Sequence, residues 1–256
     1  MSLQQDDRFP RSSTFDEAWL IDQGLGANSV WLAEWLSQAV ALRSGMRVLD
    51  LGCGRAKSSV FFAREFGVDV WAADLWFDPT DNWQTVSDFG LEDRVHPLRV
   101  DTRRLPFPEC FFDAILAVDS MQYFGTDELF LPYVIQYLKP EGVIGFASAG
   151  AVREVVHPVP EHLERFWGAD TWCIRTAAWW RDHWARPGLV NVRSTDTMTE
   201  GWKLWLDWAQ ATECSKWYLE TLERDAGEFL GYIRVVAEKS AEAPGLSYDL
   251  HTGAPR

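Results

Sequence analysis

Five consecutive residues, Asp50-Leu51-Gly52-Cys53-Gly54, place a carboxylate and two glycines at the end of a short apolar run that begins at Met46. Without a Cβ, Gly52 and Gly54 let a ligand approach the backbone closely in a strand-to-helix turn. The helix that follows offers free amide donors to an anionic group. Such a turn is weak evidence alone, because GxG turns recur in many α/β proteins for structural reasons. A dinucleotide-binding turn wants a further glycine three residues after Gly54, and Lys57 stands there. Three more apolar runs are closed or followed by Asp74, Asp101 and Asp119. So many carboxylates repel a pyrophosphate and attract a ligand that carries a sulfonium and an ammonium, most strongly where water is partly excluded. Each acid alone could simply terminate a strand. Their joint placement at successive strand ends argues for one shared site.

Those positions require a particular scaffold. From Thr14 to Leu42 aromatic and aliphatic residues recur at helical spacing, with Asn28 or Ser29 as N-caps, which predicts an N-terminal helical segment. Gly45 breaks the pattern, Met46 to Leu51 reads as a buried strand, and a helix follows from about Ala56 to Phe66. Apolar runs then recur at Val68 to Ala73, Val95 to Val100, Ala114 to Val118 and Val143 to Ala147, with helix-length segments between them. That alternation predicts a parallel, doubly wound sheet covered on both faces. Right-handed crossovers bring every strand's carboxyl end to one rim, where the ligand belongs.

Beyond Gly150 the pattern changes. His157-Pro158-Val159-Pro160 interrupts regularity, and Trp167, Trp172, Trp179, Trp180 and Trp184 crowd a short stretch that reads as a cap. Val190 to Arg193 and Gly231 to Ala237 read as two final strands, separated by an aromatic helical segment through Trp202, Trp205, Trp208 and Trp217. The expected fold is α/β, a Rossmann-like doubly wound sheet of seven strands with the last antiparallel, helices on both faces and a helical, Trp-rich cap. The expected organisation is an N-terminal segment 1–45, a main domain 46–240 with cap elements at about 150–186 and 196–230, and a flexible tail 241–256.

Composition narrows the partners. The 256 residues include 24 Lys and Arg against 38 Asp and Glu, and a formal charge of −14 repels a phosphate backbone over most of the surface. This argues against nucleic acid and favours a small-molecule metabolite. Cys53, Cys110, Cys173 and Cys214 are far apart and form no CxxC pair, so neither zinc nor a disulfide framework is expected. Met1 to Pro10 is polar and acidic, and no apolar run approaches the roughly 18 residues of a membrane span. A reducing cytoplasm is the expected location.

VLDLGCGRA at 48–56 resembles the glycine motif of class I S-adenosylmethionine-dependent methyltransferases. VWAADLW at 70–76 is similar to that family's second strand, VDTRRLPFPECFFDAILAVDSMQYF at 100–124 to its third and fourth, and LKPEGVIGFA at 138–147 to its fifth. The resemblance runs in register from Arg47 to Ala147 and is nearest to the type 11, cyclopropane-synthase-like group. The usual third glycine of the loop is Ala56 here. By this resemblance the cofactor is S-adenosylmethionine, leaving S-adenosylhomocysteine. Asp50, Gly52, Cys53 and Gly54 would surround the methionyl moiety, and Asp74 would accept both ribose hydroxyls. Leu75 and Trp76 would flank the adenine, Asp101 would accept from its amino group, Thr102 would reach a ring nitrogen through its backbone, and Asp119 would sit near the amine or sulfonium.

The implied activity is methyl transfer to a small-molecule acceptor by in-line displacement, in which the protein chiefly positions the nucleophile and excludes water. A base is required only if the acceptor carries a proton at reaction. His157, Tyr123 and His162 are the candidate bases or orienting groups, since they follow the fourth and fifth strands near the expected mouth. His157, in a Pro-containing loop, reads more readily as a cap for backbone groups than as a catalytic group, and His183 on its tryptophan-rich helix reads as packing. The tryptophans after Gly150 could roof an acceptor pocket or form a cap core. Two alternatives remain open: a lipid-modifying relative, or a cofactor-binding scaffold that transfers nothing. Acceptor identity and oligomeric state are left open.

Overall fold

The computed structural model describes residues 7–22, 26–169 and 171–241. Seven strands, β1 (Arg47–Leu51), β2 (Asp69–Asp74), β3 (Val95–Arg99), β4 (Phe112–Val118), β5 (Leu138–Ala151), β6 (Val190–Thr197) and β7 (Leu230–Lys239), form one sheet in the order β3-β2-β1-β4-β5-β7-β6. Pairing is parallel from β3 through β5, while β7 runs antiparallel to both β5 and β6. Strand order reverses at β1, which lies between β2 and β4. Chain connections there leave the sheet in opposite directions and open a crevice at the carboxyl ends. Pro97 lies on the edge strand β3, where a missing N–H costs no ladder bond.

Alternation along the strands divides the interior in two. Val48, Val70, Ala114 and Leu116 belong to a core that includes Trp31 of α2 (Ser29–Ser37), Phe61 of α3 (Lys57–Phe66) and Trp208 of α7 (Gly201–Ala211). Their neighbours Leu49, Leu51, Ile115 and Ala117 belong to a second core with Phe130, Val134 and two tryptophans of α6 (Ala177–Ala185). The period of two in each strand thus supplies both layers.

The aromatic N-terminal segment is broken into a 3₁₀ turn, Ser12–Thr14, a short α1 (Glu17–Ile21) and α2. Asn28 caps α2, its side-chain oxygen accepting from the amides of Val30 and Trp31 at 3.1 Å each. Buried Glu34 ties the turn to this helix, accepting from the amides of Arg11 and Ser12 and from the Ser12 hydroxyl.

The tryptophans of 167–184 do not form a cap together. Trp180 and Trp184, four residues apart and so on one helical stripe, both press edge-on against Phe146 of β5, with centroids at 4.8 and 5.4 Å. α6 is therefore a layer of the sheet. Trp172 is exposed, and Trp167 packs at the margin of the first core. A separate cluster joins Phe166 to Trp205 of α7 and Tyr218 of α8 (Lys216–Asp225), which lie between β6 and β7. The expected tail 241–256 lies outside the described residues apart from Ala241.

Replacing Trp180, which is fully buried, empties the space between α6 and β5. Trp180→Ala is expected to lower unfolding free energy by about 3–5 kcal/mol, measured as a lower urea midpoint at unchanged slope.

Candidate functional site

The glycine turn leaves β1 at the crevice. The amides of Gly52 and Cys53 both donate to the Ala73 carbonyl of β2, at 2.8 and 3.1 Å. Gly52 has φ +69°, and a Cβ there would come within 2.6 Å of the Ser120 Cβ, so the turn excludes any larger residue. Gly54 has φ +55°, and a Cβ there would meet only open space. Ala56, in the family's glycine position, takes φ +60° just before α3 begins. It therefore carries a side chain in a backbone region that favours glycine.

Asp74 ends β2 and receives three backbone amides. Its Oδ2 accepts from Gly54 at 2.9 Å, and its Oδ1 accepts from Trp76 at 2.8 Å and Phe77 at 3.2 Å. Of the four acceptor positions on a carboxylate, one remains, on Oδ2. The two-oxygen grip on a ribose expected from sequence is thus reduced to a single available position. Asp101 accepts from the Arg103 amide through Oδ1 at 2.9 Å.

Asp119 follows β4 with φ +51° and joins three segments. Its Oδ2 accepts from Ala27, and its Oδ1 accepts from Ala149 of β5 and from the Gln122 side chain, at 2.9, 3.0 and 3.3 Å. Burial raises its pKa against the opposing effect of these donors.

Asp50 sits one layer behind the turn. It is fully buried, and its Oδ2 accepts from the hydroxyls of Ser58 and Ser59 on α3 at 2.6 Å each, while Oδ1 has no partner among the described residues. Burial pushes its pKa up to about 6, with a smaller contribution from the Asp74 charge.

These residues surround a cavity of about 410 Å³. Gly52, Cys53, Gly54, Asp74, Leu75, Trp76, Asp101, Thr102, Asp119 and Tyr123 all line it, whereas Asp50 does not. Leu75 and Trp76 remain 48% and 77% exposed, an open apolar rim suited to a flat ring.

The two histidines are elsewhere. His157 is exposed in the loop after β5, and the His162 Nε2 lies 3.0 Å from Asp225 Oδ1. Asp225 also accepts from the amides of Phe229 and Leu230, so His162 belongs to a joint between α8 and β7. Of the three candidate orienting groups, Tyr123 alone lines the cavity. His183 stacks on Trp179 and contacts the Gly125 carbonyl, in keeping with packing.

Sequence reasoning missed several lining residues. Leu20, Gly26 and Ala27 bring the N-terminal segment across the cavity, and Trp208 holds Gly26 by donating from Nε1 to its carbonyl at 3.0 Å. Lys57 donates to the carbonyls of Leu20 and Asp22, at 2.9 and 2.5 Å. Its pKa falls to about 8 through burial, with Asp22 opposing and Arg55 adding to the shift. Arg55 and Lys57 directly follow the glycine turn, a signal that position alone provided. Among the described residues no group of three or more His, Cys, Asp or Glu could hold a metal, and no helix is long and apolar enough to cross a membrane.

Residues 48–142 match the model of a methyltransferase domain family. They carry the glycine turn and the four carboxylates just described. This part of the chain is similar to a methyltransferase domain. Methyltransferase GfsG of Streptomyces halstedii is 30% identical over 118 residues, which are 46% of this chain and 42% of that protein. The chain spans less than half the length of the curated relatives it matches. Among solved structures, phosphoethanolamine N-methyltransferase 2 of Haemonchus contortus, in complex with S-adenosyl-L-methionine, superposes with a TM-score of 0.70 at 17% identity, covering 87% of this chain and 55% of that one. The cyclase SpnF superposes at 0.64 with 19% identity, covering 81% and 80%. The chain thus shares the class I fold of these proteins, with its antiparallel last strand β7 between β5 and β6.

Folded Asp50 keeps a proton up to about pH 6, whereas the unfolded chain releases it near the ordinary 3.8. Between those values the folded state binds more protons, so stability from this group declines as pH rises. Asp50→Asn removes the ionisation. Relative to the parent, the variant should gain about 2 kcal/mol of unfolding free energy between pH 4 and pH 7, read from urea titrations at each pH.

Proposed function

We propose that this chain binds S-adenosylmethionine and transfers its methyl group to a small-molecule acceptor. One observation carries the reading: three backbone-organised carboxylates, Asp74, Asp101 and Asp119, stand at the carboxyl ends of successive strands around one cavity, opposite a glycine turn. The residues fit such a donor. The open space at Gly54 admits a ligand against the backbone, and Asp74 Oδ2 retains an acceptor position for a ribose hydroxyl. Leu75 and Trp76 offer a face to a purine, and Thr102 its backbone.

When bound, the sulfonium supplies a methyl carbon already activated for displacement. The protein's part is binding, orientation and exclusion of water. Asp119, held by three donors, places negative charge near a cation where the effective dielectric is low. Tyr123, 55% exposed at the cavity, orients the acceptor. Leu20, Phe124 and Trp208 shield the reacting end with apolar surface. The enclosed volume and the acidic chain both favour a metabolite over a nucleic acid. A cytoplasmic location accords with cysteines that form no disulfide among the described residues.

The test is transfer of isotopic label from methyl-labelled donor into a small-molecule extract. The parent chain should move label into extractable product, and Asp74→Ala should lose at least roughly 100-fold of that rate, since it forfeits charge-assisted contacts. Circular dichroism melting establishes that the variant remains folded. Binding of label by the parent with no product from any extract would contradict transfer and favour a scaffolding role.

A further inference from the structure

The carboxylates account for the positive charge of the proposed donor and leave its negative charge unmatched. The amino-acid end of that ligand carries a carboxylate beside its ammonium. Three cations line the cavity. Lys57 has committed its ammonium to the carbonyls of Leu20 and Asp22. Arg103 is exposed, beyond Asp101. Arg55 differs from both: its Nε is enclosed and has no hydrogen-bond partner, and among the described residues its guanidinium makes no hydrogen bond or ion pair. The group lies over the Phe77 ring, with Cζ 4.8 Å from its centroid.

An enclosed guanidinium donor without a partner costs free energy that a ligand can recover. Phe77 itself is fixed, because its amide donates to Asp74 Oδ1. Arg55 is therefore prepositioned by the same carboxylate that organises the glycine turn, with its donors unspent. The planar fork of arginine matches a carboxylate with two parallel hydrogen bonds. The N-terminus of α3, two residues on, adds potential of the same sign.

The geometry points to Arg55 as the residue that binds the α-carboxylate of the donor's amino-acid end. This rests on the methyl-donor reading above, and it assigns a ligand contact to a side chain that the glycine motif itself does not require.

The experiment compares two ligands by calorimetry on the whole chain. S-adenosylhomocysteine has the amino-acid end, and 5′-methylthioadenosine shares the adenosine and thioether but lacks it. Arg55→Ala should weaken S-adenosylhomocysteine roughly 10- to 100-fold and leave 5′-methylthioadenosine within about twofold of the parent. Arg55→Lys, which keeps the charge without the fork, should recover part of the loss and serves if the alanine variant is unstable. Equal weakening of both ligands would overturn the assignment, showing that Arg55 acts through Phe77 on the adenosine side. Unchanged affinity for both would overturn it as well. A parent chain that binds neither ligand would instead refute the methyl-donor reading and this assignment with it.

Discussion

The Asp74 carboxylate is the constraint on which the site depends. It gathers amides from two loops that leave adjacent parallel strands, Gly54 after β1 and Trp76 with Phe77 after β2. Each charge-assisted hydrogen bond of this kind is worth about 1.5–3 kcal/mol. Together they fix the distance between the glycine turn and the apolar rim before any ligand arrives. Arg55 inherits its position from that arrangement through Phe77. The cost of assembling the site is met during folding, which is the physical content of preorganisation.

The second clasp is Asp119. Its positive φ turns the carboxylate back toward the chain, where it accepts from Ala27 and Ala149 and so connects the N-terminal segment to β5. Gly26 is required beside it, since a Cβ at that residue would lie 2.3 Å from Asp119 Oδ2. Trp208 completes the closure from α7. Burial makes this carboxylate harder to ionise, and a cation in the cavity would restore the balance.

Much of this was legible in the residues. Near-continuous apolar runs announced buried parallel strands, and the aspartates that close them lie on one rim because every crossover has the same hand. Gly52 and Gly54 were legible because both take a positive φ that favours glycine, and at Gly52 the approach of Ser120 leaves no room for a side chain. The rest depended on contacts between distant segments. Ala27 and Asp119 are 92 residues apart, and Trp208 and Gly26 are 182 apart, so no local pattern reveals either pair. His162 seemed near the mouth because it follows β5, yet its loop turns away to pair with Asp225. The crowding of tryptophans suggested one cap, whereas Phe146 draws Trp180 and Trp184 onto the opposite sheet face from Trp208.

Equilibrium dialysis of the unmodified chain against radiolabelled S-adenosylmethionine tests the central claim most directly. A preorganised cavity with these carboxylates predicts saturable retention of one ligand per chain, with Kd on the order of micromolar. No retention above a protein-free control at millimolar ligand would contradict it.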